Sequence, residues 1–149
     1  MNKREQIRRT FIAINVIDGI YANAAKKFGI SENALALLYA LDDGREHSQT
    51  EICREWCIPK TTLNSVIKDG ISKGYITLSS KEHTKEKFIY MTEKGASYAS
   101  ATLSAIYKLE DKCFSDTLPD LESFIEEIEN LSNHMMFEFT EYFKQKSGL

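Results

Sequence analysis

Residues 48–71 read SQTEICREWCIPKTTLNSVIKDGI. Ser48 and Glu51 have the spacing of a capping box, in which side chain and backbone satisfy each other's orphaned donors at a helix start. The short helix that follows is expected to carry Ile52 and Trp56 inward and to end near Ile58 and Pro59. Proline fixes its own φ and disfavours a helical residue before it, so the chain breaks and restarts with Pro59 in the first turn of a new helix. Two helices joined by a tight turn are the consequence.

The restarted helix places Leu63, Val66, Ile67, Gly70 and Ile71 on its inner face by helical spacing. Thr61, Ser65 and Lys68 cluster on the opposite side, with Lys60 and Asn64 beside them. Gly74 ends the helix, and Tyr75–Leu78 and Phe88–Met91 then have the composition of strands. A two-stranded hairpin with a long basic tip over Ser79–Lys87 is expected.

Upstream, apolar residues from Ile7 through Phe11, Ile14, Ile17, Ile20, Tyr21 and Ala24 to Phe28 recur at steps of three or four, which predicts a long helix stopped by Gly29. Ser31 can cap a second helix with Leu35, Leu38 and Leu41 on one face. Downstream, Thr92 can cap a helix through Ala99, Leu103 and Ile106, and a last helix runs from Leu121 to Tyr142. The fold class is therefore mainly α with a small β-hairpin wing: a winged helix-turn-helix domain over residues 31–95, flanked by long helices over 1–30 and 96–149, the whole expected as one continuous globular unit.

Pro59 to Ile67, followed by Ile71-Ser72-Lys73-Gly74-Tyr75-Ile76, resembles the recognition helix of the MarR family of transcriptional regulators and its exit into the first wing strand. Tyr90-Met91-Thr92-Glu93-Lys94-Gly95 is similar to that family's strand-to-helix junction, Leu-Thr-x-x-Gly. The resemblance covers nearly the whole chain. It implies that the flanking helices are dimerisation helices, that a homodimer binds a pseudo-palindromic double-stranded operator, and that a small ligand or oxidant releases the DNA. At the wing tip the family's Asp-x-Arg is replaced by His83-Thr84-Lys85. Lysine lacks the planar guanidinium, so wing readout is expected to be more purely electrostatic.

A net charge of -3 argues against a nucleic-acid partner only as a sum. By segment the net charge is +1 over 1–44, +2 over 45–95, +1 over 96–109 and -7 over 110–149. The acidity thus lies in the last helix, away from the expected DNA face. No stretch reaches the roughly 18 apolar residues of a membrane span, and no secretory leader is evident, so a cytoplasmic location is expected.

Cys53 and Cys57, at i and i+4, would share a helix face, which invites a thiol-switch or metal reading with His47 as the nearby third ligand. Their Cβ atoms, about 6 Å apart on adjacent turns, are too distant for an unstrained disulfide, and core packing is the better reading. Neither His83 nor His134 stands at metal-ligand spacing, and nothing beside Cys113 in the sequence singles it out as reactive. With no phosphate loop, nucleophile elbow or catalytic set, an enzyme is not expected, nor a metal or cofactor.

The expected function is sequence-specific DNA binding as a homodimeric regulator, a repressor modulated by ligand. The candidate DNA contacts are Ser48, Gln49, Lys60, Thr61, Thr62, Asn64, Ser65, Lys68, Lys85 and Lys87. The resemblance also implies an effector pocket for a small, partly aromatic molecule, for which Asn15, Tyr21 and Leu38 are candidates. The alternative is a non-catalytic interaction or architectural module on the same scaffold with weakened DNA recognition.

Overall fold

The computed structural model describes residues 1–147. Its elements are α1 (Lys3–Lys27), α2 (Glu32–Leu41), β1 (His47–Ser48), α3 (Gln49–Glu55), α4 (Lys60–Ser72), β2 (Ile76–Ser80), β3 (Lys87–Met91), α5 (Glu93–Thr117) and α6 (Leu121–Ser147). Contacts divide the chain into two units, the first Met1–Ser104 and the second from Ala105 onward.

In the first unit, every helix except α4, whose N-cap is Pro59, starts where a side chain satisfies free N–H groups. Asn2 accepts from Glu5 and Ser31 from Ala34. Ser48 and Glu51 form the complete capping box. Thr92 Oγ1 accepts from the Gly95 N–H at 2.9 Å and donates to the Gly74 carbonyl at 2.7 Å, bridging the start of α5 to the end of the α4 segment.

The core of this unit gathers Leu37 and Leu41 from α2, Ile52 from α3, Leu63 and Ile67 from α4, Ile76 from β2 and Ile89 from β3, with Ile58 from the α3–α4 turn. Gly70 of α4 is buried beside Ile76, whose Cδ1 occupies the space a Cβ would take. α1 buries only Ala25 along its length, and Phe11, Ile14, Ile17 and Ile20 remain exposed.

Several details depart from the sequence reading. The hairpin is part of a three-stranded antiparallel sheet in the order β1-β3-β2, with His47 opposite Ile89 and Ser48 opposite Phe88. The strands extend to Ser80 and begin again at Lys87, so the tip is residues 81–86, in which two Lys face two Glu; it is mixed rather than basic. Pro59 is the N-cap of α4 and not a residue of its first turn. Ile71 is 43% exposed and not on the buried face.

Trp56 and Cys57 also differ. α3 stops at Glu55, and Cys57 takes a left-handed φ of 50°. Cys57 is therefore exposed and shares no helix face with Cys53, which packs against the core. Trp56, as the C-cap, lies against Tyr39 with ring centroids 5.7 Å apart and stays 38% exposed.

The second unit contains the later turns of α5 and α6. Asp120 accepts from the Ser123 N–H at 3.0 Å and so caps α6. Phe124, Ile125, Ile128, Leu131, Phe139 and Phe143 of α6 are all exposed. No helix of the described residues is long and apolar enough to cross a membrane.

Candidate nucleic-acid interface

α4 is held from behind by Leu63, Ile67 and Gly70, which are buried. The helical period that seats these three turns Lys60, Thr61, Ser65 and Lys68 outward, and all four are exposed. Thr62 and Asn64 lie at the flank of this face and are half-buried. Gln49, the first residue of α3, donates through Nε2 to Asn64 Oδ1 at 3.5 Å, a long contact joining the two helices at the edge of the outer face.

Ser48 is 2% exposed, and its hydroxyl accepts from the Glu51 N–H at 3.1 Å while Glu51 accepts from the Ser48 N–H at 2.8 Å. Its side chain is committed to setting where α3 begins. The adjacent His47 is buried and lies 2.9 Å from Asp43 through Nε2. Asp43 also accepts from the Arg45 backbone and guanidinium, and these bonds, His47 first, hold its carboxyl far below the usual carboxylate range.

The wing is fastened to the residue that precedes β1. Glu46, just before β1, accepts from the Lys81 ammonium and from the Tyr90 hydroxyl at 2.5 Å. Both bonds, that to Lys81 the larger, lower the Glu46 pKa, and the same pairing raises that of Lys81. Lys81 also lies over the Phe88 ring at 4.3 Å.

These pairings sort the cations of the winged helix. Lys73 is bound to Asp69 at 2.7 Å, Arg45 to Asp43, Arg54 to Glu55 and Lys81 to Glu46. Among the described residues, Lys60 and Lys68 on α4 and Lys85 and Lys87 on the wing make no ion pair. Four unpaired lysines on the outer helix face and the wing form a surface able to take phosphate oxygens, with hydroxyls and amides between them for base edges. The pairing of Lys81 had no sequence signal, because Glu46 reaches it only through folding, whereas Asp69 and Lys73 stand at the i, i+4 spacing that a helix brings together.

A cavity of about 430 Å³ lies between α1, α2 and the α3–α4 turn, with Tyr21 among its lining residues. Leu38 instead lines a smaller recess of about 40 Å³ beneath α4. Asn15 is exposed on α1 and lines neither. No group of three or more His, Cys, Asp or Glu among the described residues is arranged to hold a metal ion.

Residues 28–86 match the model of the MarR family. The fold is similar to that of a MarR family regulator from Neisseria meningitidis, at 23% identity and a TM-score of 0.80 over 95% of this chain and 99% of that one. It is also similar to AbfR of Staphylococcus epidermidis, at 23% identity and a TM-score of 0.68, covering 90% and 97% of the two chains. A structure of reduced AbfR bound to DNA matches at 22% identity and a TM-score of 0.63, covering 89% of this chain and 96% of that one. No curated protein matches the sequence. At these identities the structural likeness is one of fold.

Proposed function

We infer that this chain, whose residues 28–86 match the model of the MarR family, is a DNA-binding transcriptional regulator of that family. It acts as a homodimer that inserts two copies of α4 into successive major grooves about 34 Å apart. The single observation that carries the reading is the set of lysines left unpaired: Lys60, Lys68, Lys85 and Lys87 lie on the two elements a winged helix presents to DNA, while neighbouring cations are held by carboxylates. Thr61, Thr62, Asn64 and Ser65 then supply base-edge contacts. Gln49 steadies Asn64, and Ser48 fixes the α3 N-terminus. A repressor role with release by a small effector fits this arrangement, since an exposed cavity borders the helix that supports α3 and α4.

If both chains of a dimer use all four lysines, log K falls against log salt with a slope of about -7. Fluorescence anisotropy with the promoter region of the gene's own operon, titrated with salt, measures it. The Lys68→Ala, Lys85→Ala double variant should reduce the slope to about -4. Absence of binding at low salt would overturn the proposal.

The mixed charge of the wing tip, where Glu82 and Glu86 flank Lys85, favours one competing reading. An interaction module on this scaffold would retain its partner in the same lysine double variant.

A further inference from the structure

The cavity between α1, α2 and the α3–α4 turn has a chemical character of its own. Its volume of about 430 Å³ falls in the range that holds small organic ligands. Three aromatic side chains line it: Tyr21 from α1, Tyr39 from α2 and Trp56 from the turn, the last two tilted at 58° to each other. Ile58 contributes apolar surface. The ionisable groups of opposite sign are unequally represented, since Asp18 and Glu32 line the cavity and no Lys, Arg or His does.

We propose that this cavity binds a hydrophobic organic cation, such as a quaternary or aryl-substituted onium ion, and disfavours aromatic acids. Aromatic faces attract a positive charge through their quadrupoles, with Trp the strongest. Two exposed carboxylates among the lining residues contribute a negative potential that adds to this attraction. The same potential repels a carboxylate or phenolate ligand, and no lining cation compensates. The inference rests on the effector reading for its consequence at DNA but not for binding itself.

Trp56 is the chain's single tryptophan, so fluorescence excited selectively at tryptophan, away from the seven tyrosines, reports this wall of the cavity. Tetraphenylphosphonium and tetraphenylborate, nearly equal in shape and opposite in charge, are the probes. The cation is expected to quench Trp56 saturably and to bind at least about tenfold tighter than the anion. In the Asp18→Asn, Glu32→Gln double variant that preference should collapse. Equal or tighter binding of the anion by the unaltered protein, no saturable quenching by the cation, or an unchanged preference in the variant overturns the inference.

Anisotropy on operator DNA separates it from the effector reading. A cation that binds by these criteria and leaves DNA affinity unmoved upholds the site and removes its regulatory role. Release of DNA by tetraphenylborate or salicylate, with no saturable quenching of Trp56 by the phosphonium, retains an effector and overturns the cation site.

Discussion

Gly95 has no room for a methyl group. A Cβ there would stand 2.0 Å from the carbonyl oxygen of Tyr75, and backbone cannot yield as the end of a flexible side chain can. Gly95→Ala is therefore expected to destabilise the protein by about 2–4 kcal/mol, seen as a lower denaturant midpoint at unchanged slope. At the same scale, Asp43, Glu46 and Glu51 all have folded-state pKa values lowered by hydrogen bonds, to His47, to Lys81 and to the Ser48 backbone respectively. Groups lowered on folding stabilise fully above their unfolded pKa, about 4, and lose that contribution as the pH falls through the folded value. The melting temperature should accordingly drop below about pH 4, and less steeply in the Asp43→Asn, Glu46→Gln variant. Individual residues were the least legible from sequence where one backbone angle decides them. Cys57 leaves the helix through a φ of 50°, and with it go the shared face with Cys53 and the inward direction of Trp56.

Elements were legible where chemistry marks their ends. Ser48 and Glu51, Ser31 and Thr92 each sit at the start of the helix that capping predicts. Loss of the Ser48 hydroxyl removes the acceptor for the Glu51 N–H inside a buried site, so Ser48→Ala should cost about 1 kcal/mol, measured by thermal or denaturant unfolding, with Ser48→Asp retaining more of it. β1 is the opposite case: two residues give no periodicity to read, and its pairing with β3 depends on a register set by distant sequence. The outer face of α4 was legible because the apolar residues that seat it define the opposite side. Which cations of the wing remain unpaired was not, since Glu46 meets Lys81 only across 35 residues of folded chain.

At the scale of the molecule, both units leave large apolar side chains in water. Phe11, Ile14 and Ile20 on α1 and Phe124, Ile128 and Phe139 on α6 are each more than a third exposed, more than a monomer commonly leaves. These faces support assembly of two chains through surfaces resembling a divided core. Light scattering should give twice the 17.0 kDa chain mass, and Phe139→Glu should shift the population toward the single chain. The cavity was partly legible, through Tyr21, but its charge was not: Asp18 and Glu32 stand on different helices and line one cavity only because α1 packs on α2.

The junction between α4 and α5 has a mechanical meaning. Thr92 bonds the Gly74 carbonyl and the Gly95 N–H, Tyr75 presses its carbonyl on Gly95, Tyr98 stacks on the Tyr75 ring at 4.4 Å, and Lys94 donates to the Lys73 carbonyl at 2.7 Å. The first turns of α5 and the end of the α4 segment are thus tied at several points, and a rotation of one has to carry these contacts with it or break them.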